Sequence, residues 1–167
     1  MKDARSMPGV VSALVKDRNA KGQVKVEYTW LDETLRSDWV PVSSVMAGKG
    51  RGLCAMPELD DEVLIAFHHG HFDQPIVVGF LWNGVDETPH ADPRERIFRS
   101  VNGHCVRMVD STPASGDLGC LVIEDAHGNR ITLSNGKIAI HATGVLELVA
   151  PIVTINGRPV QAVPAPI

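Results

Sequence analysis

Residues 61–82 run Asp61-Glu62-Val63-Leu64-Ile65-Ala66-Phe67-His68-His69-Gly70-His71-Phe72-Asp73-Gln74-Pro75-Ile76-Val77-Val78-Gly79-Phe80-Leu81-Trp82. Val63, Ile65 and Phe67 recur with period two between Glu62 and His68, as in a strand with one face on a core. Ile76 to Trp82 is apolar almost throughout and predicts a strand buried on both faces. The polar, glycine-containing stretch between them predicts a loop. Three more strands are predicted upstream: Val10 to Lys16, Gln23 to Tyr28 and Trp39 to Val45. Asp17 to Gly22 is polar and ends in glycine, as a hairpin loop does. Almost nothing reads as helix. Five short strands within about 80 residues predict a small closed barrel of the OB type over residues 1–85.

Composition narrows the function classes. The 167 residues are 44% hydrophobic and carry a formal charge of −4. Acids and bases are mixed along the chain, whereas a nucleic-acid partner calls for a basic face. Aromatic residues make up 5%, too few for an extended base-stacking platform. No apolar run approaches the roughly 20 residues of a membrane span. Met1-Lys2-Asp3-Ala4-Arg5-Ser6 lacks an apolar signal core, so folding in the cytosol is expected. Cys54, Cys105 and Cys120 are odd in number and widely spaced, and they read as reduced, mostly packed thiols.

Residues 86–96, charged and holding Pro89 and Pro93, read as a linker. Beyond them, over residues 97–157, the strands are shorter and more regular. The pairs Ile131/Leu133, Ile138/Ile140, Leu146/Leu148 and Val153/Ile155 follow at intervals of seven, eight and seven residues. Each pair flanks one outward position: Thr132, Ala139, Glu147 and Thr154. Asn135-Gly136, Gly144 and Pro151 punctuate the turns. This weak repeat predicts one strand per turn of a β-helix or β-prism. A single copy has nothing against which to bury the stripe, so the stripe is expected to face other copies, three chains being the economical closed solution. Residues 158–167, with three prolines, are expected to form a blunt tip.

The words between Trp39 and Gly84 carry a family pattern. They are Trp39-Val40-Pro41-Val42, Met46-Ala47-Gly48-Lys49-Gly50-Arg51-Gly52, Met56-Pro57-Glu58, Asp61 to Phe67, His69-Gly70, and Gln74-Pro75 through Gly79 to Trp82-Asn83-Gly84. Gly9-Val10-Val11 and Gly103-His104 fit the same pattern. This stretch resembles the OB domain of the baseplate assembly protein V family and of the valine–glycine-repeat spikes of type VI secretion. Where that family has glycine before Asp-Glu-Val, this chain has Asp60, a residue type that tolerates the left-handed turn. Glu62, Pro75 and Trp82 belong to the same motif set. The resemblance implies an all-β homotrimer, with barrels at a baseplate hub and a β-helical needle of three intertwined chains. It implies a structural role in a phage-tail-like contractile injection particle, assembled in the cytoplasm and released with the particle. The expected partners are a separate hub protein, tube and sheath, and a small cone protein of the PAAR type at the tip, around Arg158, Pro159 and Val160. The target membrane would be contacted only mechanically.

No enzyme, cofactor or metal site is expected. His68-His69-Gly70-His71 places three imidazoles in four residues, but adjacent strand residues diverge and no acid or cysteine stands at ligand spacing, so a solvated loop is expected. His141 faces outward by alternation. The resemblance includes members with a His-x-His iron site near the tip, yet residues 149–167 hold no histidine. Gly48-Lys49-Gly50-Arg51-Gly52 lacks the Walker spacing and the following helix, and reads as a flexible loop with a basic tip. Asp60, Asp61 and Glu62 diverge on a strand, whereas glycoside cleavage needs carboxylates held roughly 5–10 Å apart across a cleft. A second reading is an OB binding module for oligosaccharide or single-stranded nucleic acid with a trimerising β tail; low charge and few aromatics weigh against it.

Overall fold

The computed structural model describes residues 9–31, 35–112 and 116–160. The N-terminal stretch read for a signal core and the tail beyond Val160 lie outside these residues. The chain divides into two compact units between Thr88 and Pro89.

In the first unit, β1 (Val10–Arg18), β2 (Gln23–Glu27), β3 (Val40–Pro41), β6 (Glu62–Phe67) and β7 (Pro75–Leu81) form a sheet ordered β3-β2-β1-β6-β7. All neighbours are antiparallel. A parallel bridge of Val42 to Val77 joins the two edges, and Ser43 N donates to Val77 O at 2.8 Å. The sheet therefore curls toward closure, as an OB barrel does. Two register shifts help it curl, one between Val15 and Asp17 and one between Leu64 and Ile65.

Period-two alternation supplies the core. Val24 and Val26, then Val63, Ile65 and Phe67, point inward with Ala13, Val15, Val40 and Val77. Tyr28, Phe67 and Phe72 pack as a ring cluster, with centroids 5.3 Å apart for Tyr28–Phe72 and Phe67–Phe72. Two expectations change. The strand predicted over Trp39 to Val45 shrinks to β3, where Pro41 withholds a ladder donor. The strand predicted to be buried on both faces, β7, buries Val77 but leaves Val78, Phe80 and the following Trp82 exposed.

The family words set turns. Asp60 takes φ 71, as its glycine-replacing position requires, and its carboxylate meets Lys16 Nζ at 2.7 Å. Asp61 Oδ2 accepts from Glu58 N at 2.8 Å, while Glu58 pairs with Arg18 at 2.9 Å over a fully buried Pro57. Gly48 to Gly52 is a small hairpin rather than a loose loop: β4 (Ala47–Gly48) pairs with β5 (Arg51–Gly52).

In the second unit, β8 (Glu95–Arg99), β9 (Cys105–Val109), β10 (Cys120–Glu124), β11 (Arg130–Ser134) and β12 (Lys137–His141) form an antiparallel meander in chain order. β13 (Thr154–Ile155) and β14 (Arg158–Pro159) make a separate hairpin. Residues 142–153 carry no strand. The last two residues of the predicted linker, Glu95 and Arg96, already belong to β8.

Two measurements test this packing. Ile65→Ala removes fully buried methyl groups and should cost about 2–5 kcal/mol in a urea unfolding titration; an unchanged midpoint would place Ile65 outside the core. Burial pushes the Tyr28 phenol up to about 12. The folded state thus holds this proton more tightly, so stability is full below the unfolded value of 10.0 and declines as pH rises toward about 12. Tyr28 is the chain's one tyrosine, so phenolate absorbance reports it alone; ionisation near its ordinary value would contradict the packing.

Candidate functional site

The register of the meander places two complete cross-strand rows on one face. The first is Phe98, Val106, Ile123, Ile131 and Ile140. The second is Arg96, Met108, Leu121, Leu133 and Ile138. Nine of these ten side chains are apolar, and eight of the nine are large hydrophobics left exposed. Exposure reaches 63% at Phe98 and 69% at Ile138. A contiguous exposed apolar face of this kind marks an interaction surface. A concavity of about 680 Å³ opens on it, with Val145 and Leu146 from the strandless segment joining its wall.

The turns explain the face. Asn135 and Gly136 take φ 47 and 74, the left-handed pair of a two-residue type I′ turn, which reverses the chain directly. Ile131 therefore lies opposite Ile140, and Leu133 opposite Ile138. At the other end of β11, Asp125 ties the β10–β11 turn: its carboxylate accepts from Asn129 Nδ2 at 2.7 Å and from the backbone N of His127 and Asn129 at 2.9 Å each. The Asn129 amide first, and these backbone donors with it, hold the Asp125 carboxyl below its usual range.

The opposite face carries a cluster of paired charges. Arg107 reaches Glu95 and Glu124 at 3.4 Å each, spanning three strands. His90 Nε2 meets Glu95 at 3.0 Å. Cys105 is buried there, its Sγ 3.4 Å from Glu124 Oε1. Burial first, then that carboxylate, pushes the thiol up. Cys120 is half-buried and Cys54 is exposed, so two of the three thiols are packed.

Of the eight residues predicted to form an axial stripe, Ile131, Leu133, Ile138 and Ile140 share the apolar face. They lie on two antiparallel arms of one hairpin, however, not on successive turns of a coil. Leu146, Leu148 and Val153 lie outside strands, and Ile155 lies on β13. Phe98, Val106, Met108, Leu121 and Ile123 belong to the same face and are absent from the predicted stripe. Their signal is present in the sequence as the alternations Val106/Met108 and Leu121/Ile123. Of the tip residues, Arg158 and Pro159 form β14, and Val160 N donates to Val153 O at 2.7 Å. His68 to Gly70 is a single 3₁₀ turn at a strand end, with His68 Nδ1 3.1 Å from Gln74 Oε1. Trp39 carries Lys25 Nζ 4.8 Å from its ring centroid. Among the described residues no helix is long and apolar enough to cross a membrane.

Residues 7–82 match the family described as the type VI secretion system/phage-baseplate injector OB domain. The type VI secretion system spike protein VgrG5 of Pseudomonas aeruginosa is 34% identical over 126 residues, which is 72% of this chain and 14% of that protein. VgrG4b of the same organism is 30% identical over 128 residues, again 72% of this chain and 14% of the relative. VgrG3 of Vibrio cholerae is 34% identical over 76 residues, covering 43% and 8%. The chain thus spans about a seventh or less of these curated relatives. Residues 7–82 thus belong to the injector OB domain family of phage baseplates and type VI secretion, and the longer alignments extend the similarity to type VI spike proteins beyond that domain.

Proposed function

We propose that this chain is the central-spike subunit of a phage-tail-like contractile injection machine and works as a homotrimer. The carrying observation is the exposed apolar face of β8 to β12. A single-layer sheet cannot cover such a face with its own residues, and a closed ring of copies covers every face at once. Covering a half-exposed aliphatic side chain gains roughly 1 kcal/mol, about half the value of full burial. The outer face would then be the Arg107 side, which carries the Arg107 ion pairs to Glu95 and Glu124. The relatives are named as spike proteins, which supports a structural role in such a machine. The mechanism would be mechanical: a rigid, preassembled point is driven through an envelope by sheath contraction, with no bond chemistry required of this chain. A separate hub protein above and a cone protein at the β13–β14 end would complete the spike.

Light scattering on the purified chain should give three times the 18.0 kDa chain mass; a clean monomer at micromolar concentration would refute the assembly. Phe98→Asp and Ile140→Asp should each abolish the trimer, because three carboxylates would be buried together without partners. Both side chains are solvent-exposed in one copy, so the barrel's unfolding midpoint should stay unchanged. A surviving trimer would show that the interface lies elsewhere.

A further inference from the structure

We infer that the groove between the β4–β5 hairpin and the barrel rim docks an extended acidic segment of a partner protein, seating an apolar side chain among Met46, Leu53, Met56 and Phe80. This inference does not rest on assembly through the second unit. The groove has a volume of about 620 Å³, and its apolar wall also includes Val42 and Val45. Val45 is 93% exposed, and Met46, Leu53 and Phe80 stay about half exposed. Methionine at such a site suits it to side chains of varied shape.

Backbone and side-chain hydrogen bonds close the hairpin. Ser44 Oγ donates to Leu53 O at 2.6 Å and lies 3.2 Å from Met46 O, while Leu53 N donates to Met46 O at 3.1 Å. Gly52, at φ 150, passes so close to Met46 O that any Cβ would collide with it. Arg51 folds back over Gly48: a Cβ there would lie 3.0 Å from its Cζ and Nε. The guanidinium thus lies beside the hairpin backbone at the groove's edge.

Charge identifies the occupant. Among the described residues, the only charged ones lining the groove are Lys21 and Arg51, and no carboxylate lines it. Lys49 stands at the hairpin turn beside them. Among the described residues, none of these three cations has an ion pair, although the chain as a whole carries a charge of −4. An apolar wall under unpaired cations fits an apolar side chain flanked by carboxylates, and arginine is a favoured anchor in protein interfaces.

The test is fluorescence anisotropy of a labelled peptide of alternating glutamate and leucine, titrated with the full chain. Saturable binding is expected, weakened at least tenfold by Arg51→Glu and by Met46→Asp, and weakened by added salt. The lysine–leucine counterpart should not bind. Absence of saturable binding, or indifference to both substitutions, would overturn the proposal. Equal, Arg51-dependent binding to phosphatidylglycerol vesicles would assign the groove to a membrane surface instead. A change of oligomeric mass in Arg51→Glu would assign it to a second copy.

Discussion

A β-sheet has two faces, and a single layer can bury only the one that something else covers. The first unit meets this constraint by curling. Val42 reaches Val77 across the edges, and the inward side chains of five strands pack on one another. The second unit has no such option: its five strands follow one another in meander order, and its apolar rows meet no other part of that unit's sheet. The division of labour follows from this difference. One unit covers its own apolar residues, and the other leaves a broad apolar face exposed.

Much of the first unit is legible in the sequence because burial there is settled within one chain. Alternation at Val24/Val26 and Val63/Ile65/Phe67 names the core directly. The misreading of β7 has the opposite cause. Val78, Phe80 and Trp82 look like core residues by composition, yet they lie on an outer surface, and a sequence does not distinguish apolar residues that face their own core from those that await a partner. The second unit shows the same ambiguity on a larger scale. The seven-residue spacing of Ile131/Leu133 and Ile138/Ile140 fits successive turns of a coil as well as the two arms of a hairpin. The backbone at Asn135-Gly136 decides between them, since two consecutive left-handed residues reverse the chain within two positions.

The family words prove to be words about backbone geometry. Asp60 holds a left-handed turn, Asp61 caps the backbone of Glu58, Pro57 is sealed beneath, and Gly52 leaves room for the Met46 carbonyl. That geometry is what makes the motif specific for a fold. It also explains how aspartate replaces glycine at position 60: Lys16 pairs with the new carboxylate at 2.7 Å, so the substitution gains a partner where it loses conformational freedom.

The two-residue turn between β11 and β12 bears on how such a sheet changes over evolutionary time. Because the reversal uses only Asn135 and Gly136, one hairpin is a self-contained cassette that returns the chain to the end of the sheet from which it started. Duplicating or deleting a cassette lengthens or shortens the sheet by two strand spacings, roughly 10 Å. The two sides keep their identities, since the register never slips by an odd residue. Length thus becomes a modular variable, adjustable in whole steps without redesign of any contact.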